Sequence, residues 1–67
     1  MNPKEHLFRA WRDWDTELSS LAAKEAAEKR FDDAIDEYRA ATGDGSARWA
    51  IRFYLREEYA AWRIENP

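Results

Sequence analysis

The chain has 67 residues, a formal net charge of −3, 37% charged residues and 15% aromatic residues, four of them Trp. This length allows one small domain, and the absence of Cys excludes disulfides and thiolate metal sites. The single His, His6, excludes a multi-histidine metal site within one chain, and the acidic balance disfavours non-specific binding to polyanions.

The first predicted helix covers residues 3–18. Asn2, Pro3 and Glu5 occupy the N-cap, first and third helical positions, which is typical of a helix start. Apolar residues then recur at spacings of three and four, namely Leu7, Trp11, Trp14, Leu18 and Leu21. This periodicity predicts an amphipathic helix whose Trp and Leu side chains enter the core. Phe8 lies at the edge of the stripe, from which it can extend outward.

The second predicted helix covers residues 21–42 and begins where the apolar pattern changes phase. The earlier spacing would continue onto the charged residues Glu25 and Glu28, whereas the new apolar line begins at Ala23. Ser19 and Ser20 precede this shift, and Ser is a frequent N-cap.

Two architectures fit this phase shift. A turn at the Ser pair gives a small all-α three-helix bundle. A continuous helix from Pro3 to Thr42 gives a long helical hairpin that dimerises into a four-helix bundle. We predict the three-helix bundle, because it hides more apolar surface within a single chain.

The third predicted helix covers residues 46–64. Gly43 is expected to terminate the second helix, and Asp44 or Ser46 is expected to cap the third. No segment alternates with the period of a strand, so the whole chain is predicted to be helical.

Two apolar faces and a line of arginines distinguish the third helix. At about 100° per residue, one face consists of Ile51, Tyr54, Leu55, Tyr59 and Trp62. A second apolar line consists of Trp49, Phe53, Ala60 and Ile64, and one flank carries Arg48, Arg52, Arg56 and Arg63. A helix in an isolated bundle needs one apolar face, so the second predicts an interaction surface. Alternatively, the first helix covers this line and the arginines pair with carboxylates of the second helix, such as Asp32 or Asp36.

These features predict a non-enzymatic protein-protein interaction module, acting as an adaptor, a regulator or an inhibitor. The predicted partner-binding residues are Arg48, Trp49, Arg52, Phe53, Arg56 and Ile64. The partner is expected to be another protein or a second copy of the chain. We predict no catalytic residue, cofactor or metal, because His6 has no plausible nucleophile or acid at a suitable spacing.

Other functions are also compatible with the sequence. One is a self-assembling helical structural protein, including a computationally designed one, since the chain has twelve Ala and neither Val nor Gln. Another is a nucleic-acid-binding regulator using the arginines, or an acidic protein that mimics nucleic acid, although the net charge disfavours direct binding. With neither a signal-peptide pattern nor a membrane-length apolar run, we expect a cytoplasmic protein.

Overall fold

The computed structural model describes residues 2–67, which form three helices and no strand. The helices are α1 (Pro3–Thr16), α2 (Leu21–Thr42) and α3 (Arg48–Glu65). The predicted all-α three-helix bundle is therefore confirmed, with helix ends displaced by at most two residues from the predicted ones.

α1 and α2 are separate helices because local hydrogen bonds turn the chain between them. Glu17 is extended (φ −76°, ψ 111°), and its Oε1 accepts hydrogen bonds from the backbone N–H and the hydroxyl of Ser19. Ser20 then caps α2, since its Oγ accepts a 3.0 Å hydrogen bond from the N–H of Ala23. The alternative prediction of one continuous helix, and of the hairpin built from it, is wrong.

α1 begins as predicted and ends two residues early. The Oδ1 of Asn2 accepts a 2.7 Å hydrogen bond from the N–H of Glu5 and so caps the helix. Because α1 ends at Thr16, Leu18 and Leu21 lie beyond its apolar stripe and are 87% and 75% exposed. Their predicted core position is wrong.

The connection between α2 and α3 is shaped by Gly43 and Asp44. Gly43 ends α2 in the left-handed conformation (φ 73°), as predicted. The carboxylate of Asp44 accepts hydrogen bonds from the N–H of Ser46 and from the hydroxyl of Tyr54. Ala47 is consequently the N-cap of α3 and makes no side-chain capping bond, so the prediction of Asp44 or Ser46 as the cap is wrong.

Aromatic side chains of α1 form the core between α2 and α3. The Trp11 ring stacks on Phe31 at 5.3 Å and on Tyr59 at 4.1 Å. Phe8 is 3% exposed and lies within 6 Å of the Tyr59 and Trp62 rings, so it widens the apolar stripe into the core and does not extend outward. The largest fully buried side chains are Leu7, Phe31, Ile35 and Ile51.

This packing orients α3. Ile51, Leu55 and Tyr59 are buried, as predicted for its main face, whereas Tyr54 at the margin of that face is 46% exposed. With these three side chains directed into the bundle, the opposite side of α3 faces solvent.

Candidate interaction surface on α3

A line of exposed apolar side chains runs along the outer side of α3. Trp49, Phe53 and Ile64 are 72%, 60% and 83% exposed, and the small side chain of Ala60 is exposed between them. At about 100° per residue these four residues fall within an arc of about 60°. We call them the outer line. The alternative expectation, in which α1 covers this line, does not describe the structure.

Arg48 of α3 pairs with carboxylates of α2. Its Nε and Nη2 donate hydrogen bonds to the two carboxylate oxygens of Asp36 at 3.0 and 2.6 Å, and Asp32 lies 3.8 Å from Nη1. The expected pairing with α2 is therefore present. The hydrogen bonds from Arg48 lower the pKa of Asp36 to about 2, and the same contact raises the pKa of Arg48.

Arg52 and Arg56 interact with aromatic rings instead of carboxylates. The Arg52 guanidinium carbon lies 4.9 Å from the Trp14 ring centroid and 4.8 Å from that of Phe31. The Arg56 guanidinium lies 4.0 Å from the ring of Phe53 and donates a hydrogen bond to its carbonyl oxygen. Among residues 2–67, neither arginine has a carboxylate within salt-bridge distance, so both keep an uncompensated positive charge.

Arg63, the last arginine of the flank, is held within the bundle. Its Nη1 donates hydrogen bonds to Asp15 at 3.2 Å and to the Tyr59 hydroxyl at 2.9 Å. Burial raises the pKa of Tyr59 to about 12, the hydrogen bond from Arg63 opposes that rise, and the bond to Asp15 adds to it. Of the residues predicted to bind a partner, the structure thus brings Trp49, Phe53 and Arg56 together in one exposed cluster.

Sequence reasoning missed the extension of this surface onto the other helices. Lys24 of α2 lies 4.4 Å from the ring centroid of Trp14, whose ring Arg52 also contacts. The ammonium group of Lys24 also donates a hydrogen bond to the Trp14 carbonyl, at the C-terminal end of α1. The packing of all three helices brings these residues together, and the spacing of residues in the sequence gives no information on that packing.

Other groups in the described part of the chain offer little chemistry. His6 is exposed, and its Nδ1 lies 2.9 Å from Oε2 of Glu37. Residues 2–67 contain no cluster of three potential metal ligands and no helix long and apolar enough to cross a membrane. A shallow cleft between α1 and α3 includes Glu5 in its lining, and Glu5 accepts a 2.9 Å hydrogen bond from Nε1 of Trp62.

Comparisons of the chain with protein-family models, curated proteins and solved structures find no significant match.

Proposed function

We propose that the protein is a non-enzymatic protein-protein interaction module, an adaptor, regulator or inhibitor that binds its partner through the outer line of α3. The exposure of Trp49, Phe53 and Ile64 carries this proposal. Large apolar side chains gathered on one face mark interaction sites in small proteins, whereas scattered ones need no explanation.

The cluster formed by Trp49, Phe53 and Arg56 is the proposed centre of the interface. Trp, Tyr and Arg are the residues most enriched at energetic hot spots of protein interfaces. The contact of Arg56 with the Phe53 ring holds a charged group beside the apolar surface, where a partner would desolvate both. Ile64 lies about four helical turns from Trp49 and extends the apolar contact along α3.

We assign the remaining arginines of the flank a supporting role. Arg48 is engaged by Asp36 and holds α3 on α2, and Arg52 lies against the rings of Trp14 and Phe31. Arg52 keeps its charge at the margin of the surface, while Arg48 is already neutralised by its carboxylate partner. We therefore expect Arg56 to contribute more to partner binding than Arg48.

Selection from a displayed library of amphipathic helical peptides tests the proposal. The immobilised protein should enrich binders, and the Trp49→Ala/Phe53→Ala variant should lose them. Tyr54→Ala is the matched control, because Tyr54 is an exposed aromatic residue of α3 about 100° away from Phe53. No enrichment, or equal binding by the double variant, would contradict the proposal.

A further inference from the structure

We propose that the outer line binds an amphipathic helix that carries acidic residues along one side of its apolar face. This inference rests on the proposed function and specifies the chemistry of the partner. It is carried by the distribution of unpaired positive charge around the outer line.

The charges of the described residues are paired unevenly. Seven of the eleven Lys and Arg residues lie within salt-bridge distance of a carboxylate. The four without such a partner among residues 2–67 are Lys24, Arg30, Arg52 and Arg56. Arg52 and Arg56 lie on the flank of α3 beside the outer line, and Lys24 lies with Arg52 at the ring of Trp14. A chain of net charge −3 thus concentrates uncompensated positive charge beside its exposed aromatic residues.

These three cations are connected through the aromatic rings and the helical turn that they share. Lys24 and Arg52 both lie over the ring of Trp14, at 4.4 and 4.9 Å from its centroid. Arg56 follows Arg52 by one turn of α3, about 6 Å along the helix axis. Arg56 in turn covers the Phe53 ring of the outer line at 4.0 Å. We call Lys24, Arg52 and Arg56 the cationic edge.

The other edge of the outer line has the opposite charge. Glu57 lies on that side of α3, exposed and without a cation in salt-bridge distance among residues 2–67. A docked helix with carboxylates along one side would place them against the cationic edge and away from Glu57. The opposite charges of the two edges therefore favour an acidic partner helix, and they favour one of the two directions in which that helix could lie along α3.

The length of the outer line suits a helical partner. Trp49 and Ile64 are fifteen residues apart in sequence, or about 22 Å along the axis of α3. A partner helix of about four turns can follow this line with apolar residues at spacings of three and four. Ala60 provides a small side chain where the two helices can approach closely.

A second copy of the chain fits this surface less well. In a two-fold antiparallel pairing of α3 with itself, each edge meets the same edge of the symmetry mate. Arg56 lies near the middle of the outer line and would face Arg56 of the second copy. Nucleic acid is also disfavoured, because three cations neutralise few phosphates and the chain has a net charge of −3.

Three pools of synthetic peptides of about 18 residues provide the test. All share apolar positions drawn from Leu, Ile, Phe and Met, and their flanking positions on one side are Glu, Gln or Lys. At about 50 mM salt we expect the Glu pool to bind roughly tenfold more tightly than the Lys pool. This preference should shrink at about 500 mM salt.

Variants that lack one or two positive charges test which residues of the protein cause the preference for the Glu pool over the Lys pool. Arg56→Gln should reduce it, and Lys24→Gln/Arg56→Gln should reduce it further. Lys4→Gln/Arg9→Gln is the matched control, with the same change of charge at residues of α1 that pair with Glu58 and Glu5. The control should keep the full preference. Arg56→Gln alone leaves the hydrogen bond from Lys24 to α1 intact, so its effect is independent of that contact.

The outcomes separate this inference from the proposed function. Suppose that the Gln or Lys pool binds as tightly as the Glu pool and that Trp49→Ala/Phe53→Ala abolishes binding. The proposal of an acidic partner is then wrong, whereas the proposed interaction module is supported. If no pool binds, both are overturned. The proposal of an acidic helical partner is also contradicted if a single-stranded oligonucleotide binds more tightly than the Glu pool. It is contradicted as well if light scattering shows a stable dimer and the outer line is buried in that dimer.

Discussion

Replacing Trp49 by Ala should change the stability of the domain little, although the substitution removes a large aromatic side chain. Trp49 is 72% exposed, so little more than a quarter of its surface is covered. Full burial of an aromatic side chain covers on the order of 150–250 Å², so the covered part amounts to roughly 40–70 Å². At about 25 cal/mol per Å², its removal costs about 1–1.8 kcal/mol.

A second effect reduces this cost. Ala has a higher helix propensity than Trp by about 0.5 kcal/mol. The expected net loss for Trp49→Ala is therefore about 1 kcal/mol. Trp11→Ala is the matched control, because Trp11 is 8% exposed and stacks between Phe31 and Tyr59. The same substitution there should cost about 3–5 kcal/mol, comparable to the total stability of a domain of this size.

Urea denaturation followed by circular dichroism at 222 nm measures both variants without relying on Trp fluorescence. We expect Trp49→Ala to retain a cooperative transition close to that of the unmodified protein, and Trp11→Ala to be largely unfolded without denaturant. A loss of 3 kcal/mol or more for Trp49→Ala would show that this side chain is part of the core. That result would contradict an exposed interaction surface on α3.

The ion pair of Asp36, the buried Tyr59 and the two glycines can each be tested by substitution. Asp36 has a pKa of about 2 when folded against 3.8 for the free side chain, so its pair with Arg48 stabilises the fold above about pH 4. The difference in urea midpoint between the unmodified protein and Asp36→Asn should therefore narrow as the pH falls from 4 to 2; a constant difference would contradict the assignment. The pKa of Tyr59 is raised from 10.0 to about 12, so stability should fall as the pH rises through this range. Tyr59→Phe should remove one step near pH 12 from the tyrosinate absorbance titration; loss of a step near pH 10 instead would contradict it. Gly43→Ala should cost about 1–2 kcal/mol in thermal unfolding because φ is 73°, whereas Gly45→Ala should be neutral or stabilising. A Cβ would meet no atom within 4 Å at either glycine, so neither substitution creates a steric clash. Equal changes in stability for the two variants would therefore contradict the explanation based on the positive φ of Gly43.

The features of the fold that depend on local sequence were predictable. The Asn2 cap, the Ser20 cap and the left-handed Gly43 each involve residues within three positions of one another. The two faces of α3 also follow from helical geometry alone, because Ile51 and Phe53 differ by about 200° around the axis. Periodicity therefore separated the buried face from the exposed one before any contact between helices was known.

Other features depended on contacts that the periodicity does not encode. Leu18 continued the stripe of α1 in sequence, but the hydrogen bonds of Glu17 with Ser19 end the helix before it. The capping role expected for Asp44 was lost because its carboxylate accepts the N–H of Ser46 in a local turn. In both cases a short-range polar interaction changed the helix boundary by two residues.

The Lys24 end of the cationic edge could not be predicted from the sequence. The spacing of Arg52 and Arg56 placed them on one flank of α3, but it gave no information on what α1 and α2 bring to that flank. Trp14 and Lys24 are 38 and 28 residues before Arg52 in the chain, and the crossing of the helices brings them together. The sequence therefore predicted the outer line together with Arg52 and Arg56, and the structure added Trp14 and Lys24.

Chemical-shift mapping of the four Trp indole N–H groups shows whether a partner peptide binds to the outer line. The ¹⁵N-labelled protein is titrated with the tightest-binding peptide of the Glu pool, after the four signals are assigned from Trp→Phe variants. The account predicts a large shift of the Trp49 signal, a smaller one for Trp14 beside the cationic edge, and no change for the buried Trp11. An unchanged Trp49 signal, or shifts confined to Trp62 on the far side of α3, would contradict it.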